Sequence, residues 1–119
     1  MSTSQFEATI ATSISVVRRE RELRGRSLEQ IEGEGAPRQI LLDRPQFVIG
    51  RGDDADIPLA SRRASRQHAI LVSKGTDFAI RDNESHNGIF LNGVKIHSAT
   101  LHEGDVIQVA DCAFIFREG

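Results

Sequence analysis

From Arg38 onward the chain alternates apolar and polar positions in short runs. "QILLD", "QFVIG", "ADIPLA", "HAILVSK", "DFAIRD", "GIFLNG", "DVIQVA" and "CAFIFRE" are rich in Ile, Val and Phe, and Gly, Asp, Asn or Pro separates them. That pattern predicts strands, and turns every 8–12 residues predict an all-β sandwich or barrel with no room for crossover helices. Alternation places Phe47, Phe78, Phe90, Phe114 and Phe116 in or near the core rather than on a base-stacking surface. The pairs Asn87-Gly88 and Asn92-Gly93 bracket Ile89–Leu91; Asn-Gly tolerates positive φ at both positions, so each signals a tight turn.

Upstream the pattern changes. Residues 1–15 hold seven Ser or Thr and few large apolar groups. In "VVRRERELRGRSLEQIE" (16–32) the apolar Val16, Val17, Leu23, Leu28 and Ile31 are spread thinly among charges, with Gly25 in mid-pattern. The reading is a frayed helix at best. "GEGAP" (33–37) then punctuates a linker. The sequence therefore divides into a flexible or partly helical N-terminal tail and linker, 1–35, and a β domain, 36–119. The stop directly after the last strand reads as a domain cut from the front of a longer protein.

The formal net charge is −2 over 119 residues, so no global basic field points to nucleic acid. The charge is informative locally: thirteen of the fifteen basic residues are arginine, whose planar fork suits phosphate or carboxylate. The single Cys112 excludes an internal disulfide and a paired-cysteine metal site, and His97 and His102 have no metal-like spacing with it. The expectation is a cytoplasmic protein with no cofactor, no metal and no membrane partner, because neither a signal peptide nor an apolar span is present.

Four polar loop segments remain once the strands are set aside: "GRGDDAD" (50–56), "SRRASRQH" (61–68), "DNESHNG" (82–88) and the Asn92-Gly93 turn. Loops at one end of a sandwich come together although distant in sequence. Sharing an end, Arg51, Ser65, Arg66 and Asn87 would offer two guanidinium groups, a hydroxyl and an amide to one dianionic phosphate on a peptide. Phosphothreonine carries about −1.5 to −2 charges and three acceptor oxygens.

The residues "FVIGR", "SRQH" and "SHNGIFLNG" resemble the forkhead-associated (FHA) domain, a phosphothreonine-reading module. The family pattern is a Gly-Arg pair ending a strand, a Ser-Arg-x-His group and an Asn-Gly-x-x-x-Asn-Gly stretch, all present here in order. The resemblance covers about residues 38–118 and implies an antiparallel sandwich of about eleven strands. It implies that Arg51 grips phosphate, Ser65 hydrogen-bonds it, Arg66 assists, and Asn87 clamps the ligand backbone with His86 shaping the site. Gly50, His68 and Gly88, with Asn92 and Gly93, are implied to be architectural, and Arg63 to select a residue three places after the phosphothreonine.

Each residue also has a plainer explanation. Arg51 alone would pair with Asp53, Asp54 or Asp56, Arg66 would face solvent, and Asn87 would cap a turn. "RRAS" (62–65), "RGD" (51–53) and "NES" (83–85) match kinase, adhesion and glycosylation patterns that the rest of the chain does not support. A hydrolase built from Ser65, His68 and Asp82 lacks a nucleophile elbow. The expectation is therefore a non-catalytic binding domain in signal transduction; the alternative is a phosphorylation-independent protein-interaction domain. Its expected partners are a Ser/Thr kinase and a phosphothreonine protein, or its own tail phosphorylated at Thr3, Thr9 or Thr12. By family analogy a docked tail would regulate a downstream effector such as a diguanylate cyclase.

Overall fold

The computed structural model describes residues 25–119. Thr3, Thr9 and Thr12 lie outside the described residues. Eleven strands follow in chain order: β1 (Ser27–Glu32), β2 (Arg38–Leu41), β3 (Gln46–Gly50), β4 (Ile57–Pro58), β5 (Ala69–Lys74), β6 (Asp77–Asp82), β7 (Ile89–Leu91), β8 (Val94–Ile96), β9 (Ser98–Thr100), β10 (Val106–Val109) and β11 (Cys112–Arg117). They form two sheets, one ordered β2-β1-β11-β10-β7-β8 and the other β4-β3-β5-β6-β9. Among the described residues there is no helix, hence none long and apolar enough to cross a membrane.

Two-residue periodicity builds the core. Phe47 and Ile49 of β3, Leu71 of β5, Ile80 of β6, Ile89 of β7, Ile107 and Val109 of β10 and Phe114 and Phe116 of β11 are all at most 1% exposed. Each fully buried side chain of this kind stabilises the fold by about 1.5–3 kcal/mol. Phe90 is half-buried, and the other four phenylalanines read as core are buried.

Three features depart from the sequence reading. The first is the conformation of the segment before residue 33. Ser27–Glu32, read as part of a frayed helix, is a strand held between β2 and β11, with Leu28 opposite Phe116. The apolar pattern was too thin because Ser27 and Gln30 are buried polar residues, 5% and 1% exposed. Gln30 Nε2 donates to the carbonyls of Glu32 and Glu34, and its Oε1 accepts from Arg38 Nε. Ser27 Oγ accepts from Gln39 Nε2. Partners within the domain thus repay the cost of burying these groups.

The second departure is that the sandwich is not wholly antiparallel. β4 pairs parallel with β3, Ile49 opposite Ile57 and Gly50 opposite Pro58, across only the 51–56 loop. The third concerns the Asn-Gly pairs. Asn92 and Gly93 both have positive φ and close the two-residue β7–β8 hairpin as expected. At Asn87-Gly88 only Gly88 has positive φ, and the pair lies in the loop between β6 and β7 rather than in a hairpin.

At the opposite terminus of β11, Glu103 accepts hydrogen bonds from Glu118 N–H (2.7 Å) and Arg117 Nη1 (3.0 Å). The backbone hydrogen bond first, and the Arg117 guanidinium second, hold this carboxyl below the usual range.

Candidate functional site

The β3–β4, β4–β5 and β6–β7 loops meet at one end of the sandwich through a backbone lattice. Arg51 N–H donates to the Ser65 carbonyl (3.0 Å) and Gly52 N–H to the Arg66 carbonyl (3.3 Å). Gly50 is where the two loops touch: a Cβ there would lie 2.0 Å from the Arg66 oxygen and 2.9 Å from the Ser65 oxygen. Only glycine lets the backbones approach this closely. Arg51 Nε donates to the Ala64 carbonyl (3.0 Å), which fixes the guanidinium beside the Ser65 loop.

His68 joins the second loop to the third from inside. Its ring is fully buried; Nδ1 accepts from Ser65 N–H (3.0 Å) and Nε2 contacts the Gly88 carbonyl at 2.7 Å. A nitrogen that accepts cannot carry the proton, so the ring is the Nε2–H tautomer and donates to Gly88. Asn83 N–H returns to the His68 carbonyl, and Asn83 Nδ2 donates to the Gln67 carbonyl. This wiring is not that of a catalytic triad. His68 meets the backbone of Ser65, not its hydroxyl, and the Asp82 carboxylate accepts from Ser85 Oγ and N–H.

The Ser65 hydroxyl oxygen accepts from His86 N–H (3.1 Å), leaving its own hydrogen available for a further acceptor. Asn87 Nδ2 donates to the Arg63 carbonyl (2.8 Å), which uses one of its two amide hydrogens. The rest of the Asn87 amide, on an exposed residue, has no partner among the described residues. The side chains of Arg66 and His86 are exposed. Arg51 and Arg66 line one small depression of about 190 Å³ together with Gly52 and Asp53.

Of the three acids that could have neutralised Arg51, Asp56 is engaged elsewhere, whereas Asp53 lines the same depression without forming an ion pair. Asp56 accepts from Val48 N–H (2.7 Å) and pairs with Arg44 (3.2 Å). Among the described residues no ion pair involves Arg51, Arg62 or Arg66; Arg63 lies 3.8 Å from Asp111. Guanidinium groups without an ion-pair partner on adjacent loops attract anions.

Sequence reasoning missed two supports. Ser85 Oγ bridges the Asp82 carboxylate and Gly88 N–H (2.8 Å), setting the turn that presents Asn87. Lys95, on β8, lays its aliphatic stem over Gly88: a Cβ there would meet Lys95 Cε at 2.5 Å and Nζ at 3.4 Å. The first was legible as a Ser three places after an Asp; the second depends on cross-strand placement. Asn92 is architectural: its side chain donates to Asp105 and accepts from Val106 N–H, pinning the hairpin to β10.

Two packed sheets, a glycine ending β3 against a Ser-Arg-x-His loop, and the Asn-Gly turn beside it define an FHA domain. The chain belongs to that family, residues 47–110 matching the FHA domain. It is 44% identical over 71 residues to the ABC transporter ATP-binding/permease protein Rv1747 of Mycobacterium tuberculosis, covering 60% of this chain and 8% of that protein. To the transcriptional regulatory protein EmbR of the same species it is 42% identical over 86 residues, 71% of this chain and 21% of EmbR. The chain thus spans a small part of the length of either. The structure of M. tuberculosis EmbR in complex with a low-affinity phosphopeptide superposes with a TM-score of 0.74 at 30% identity, covering 98% of this chain and 31% of that one. A structure described under phosphothreonine-dependent FHA domain interactions gives 0.70 at 29% identity, covering 78% and 97%.

Proposed function

We propose that this domain binds phosphothreonine in a protein segment and performs no chemistry on it. The observation that carries the reading is that Arg51 and Arg66 line one depression with Gly52 and Asp53 where the Arg51 loop is hydrogen-bonded to the Ser65 loop, and neither guanidinium forms an ion pair among the described residues. Arg51 offers its two terminal amino groups, since Nε is committed to Ala64, and Ser65 offers its hydroxyl hydrogen. Arg66 adds charge, and Asn87, steadied by Arg63, takes the ligand backbone with its remaining amide atoms. A charge-assisted hydrogen bond is worth about 1.5–3 kcal/mol net, so three or four reach micromolar affinity, about −8 kcal/mol. The phosphopeptide bound by EmbR and the phosphothreonine dependence named for a second relative support the same reading.

The ligand's source extends, on this reading, to the chain's own Thr3, Thr9 or Thr12, with a downstream effector receiving the output. Titrating a phosphothreonine peptide into the isotopically labelled chain tests the site: amide resonances of Arg51, Ser65, Arg66 and Asn87 move, and those of Gly75 and Thr76 in the β5–β6 turn, at the other end of those strands, do not. Phosphorylating the tail itself moves the same four resonances if the tail docks.

A further inference from the structure

Arg51 belongs to two depressions at once. Besides the small one shared with Arg66, it lines an open groove of about 590 Å³ that runs past Pro58 and Arg62 to Glu34 and Arg38, with Asp53 at the shared end. That volume falls within the roughly 300–1,000 Å³ of sites that hold small ligands. The groove is built from the β1–β2 turn and the residues flanking β4. Arg63, the position implied for selecting a ligand residue, does not line it and is turned toward Asp111.

The charges in the groove are unequal. Arg38, Arg51 and Arg62 face Glu34 and Asp53, an excess of one positive charge before any ligand arrives. Two of the arginines are partly committed. Arg38 donates from Nη2 to the Pro58 carbonyl (2.8 Å) and from Nε to Gln30, and Arg51 is reserved for phosphate on the reading above. Arg62 is exposed and, among the described residues, has neither an ion pair nor a side-chain hydrogen bond. A ligand anchored at Arg51 has this groove as a continuous exit for its flanking residues, and Arg62 is the uncommitted cation along it.

We propose that the groove is a second subsite, which takes an acidic side chain on one flank of the phosphorylated residue and pairs it with Arg62. The inference rests on phosphothreonine binding and adds to it a sequence preference located at Arg62. A groove-side pair with an exposed arginine discriminates by up to about fivefold, the upper end of the range for such an ion pair.

The test uses the 119-residue chain and phosphothreonine peptides with alanine flanks, in which a single Asp is moved stepwise along each side. Affinities are measured by calorimetry for the wild type, Arg62→Ala, Arg62→Glu and Arg63→Ala. One Asp position improves wild-type binding measurably, by up to about fivefold. That gain disappears in Arg62→Ala, persists in Arg63→Ala, and becomes a preference for Lys over Asp in Arg62→Glu. No favoured Asp position in a wild type that binds the alanine-flanked peptide overturns the subsite alone, as does a gain that survives in Arg62→Ala. Failure of the wild type to bind any of the phosphopeptides overturns the phosphothreonine reading and the subsite with it.

Discussion

Gly50 and the Arg66 carbonyl are in contact so close that a methyl group on Gly50 would stand 2.0 Å from the oxygen. The neighbouring atoms are backbone held by the Arg51–Ser65 and Gly52–Arg66 hydrogen bonds, so neither side can yield without opening the loop lattice. The contact therefore sets the distance between the loop bearing Arg51 and the loop bearing Ser65.

Gly50→Ala is expected to cost about 1–3 kcal/mol, the range for forcing extra volume into a packed site. Urea unfolding measures the loss. Phosphopeptide affinity falls further than stability alone explains, because the loops are pushed apart in the folded state.

His68→Ala leaves the Ser65 N–H and the Gly88 carbonyl without their buried partner. Each orphaned group costs about 1–3 kcal/mol, so the variant loses roughly 2–6 kcal/mol before any cavity term. Amide exchange at Ser65 accelerates selectively in the folded protein, which separates loss of this brace from general unfolding.

Ser85→Ala removes the bridge between Asp82 and Gly88 N–H. A stability loss of about 1–2 kcal/mol is expected, with weakened peptide binding through Asn87 and unchanged ability of Arg51 to be shifted by inorganic phosphate. Calorimetry and an amide-shift titration with phosphate distinguish the two effects.

Acid sensitivity is expected from Glu103. Its folded-state pKa lies below 4.5 because it accepts from Glu118 N–H and Arg117, so its contribution is present above that value. The contribution is lost as pH falls through the depressed folded-state pKa. Unfolding midpoints measured on descending through this window fall for the wild type, and less steeply for Glu103→Gln.

The sequence revealed those strands whose inward positions are apolar. β3, β5 and β11 place Phe47 and Ile49, Leu71, and Phe114 and Phe116 inside by simple alternation. β1 was hidden because two of its buried residues, Ser27 and Gln30, are polar and draw their partners from residues up to 12 positions away. The meeting of the loop that carries Arg51 with the loop that carries Ser65 and Arg66 was legible because the spacing of three motifs constrains them together. Lys95 over Gly88 was not, since it depends on strand placement rather than local spacing. Nor was the bond from Ser61 to Asp111, which spans 50 positions and anchors the loop that carries Arg63. Contacts of that range leave no local pattern.

The most direct measurement compares three peptides of one sequence, bearing phosphothreonine, phosphoserine or unmodified threonine, against the wild type and Arg51→Ala. The expected result is micromolar binding of the phosphothreonine form, weaker binding of phosphoserine, none of the bare peptide, and at least a tenfold loss in Arg51→Ala, from about 1.5 kcal/mol or more per lost charge-assisted bond. Equal affinity for all three peptides, undiminished in the variant, would contradict the account.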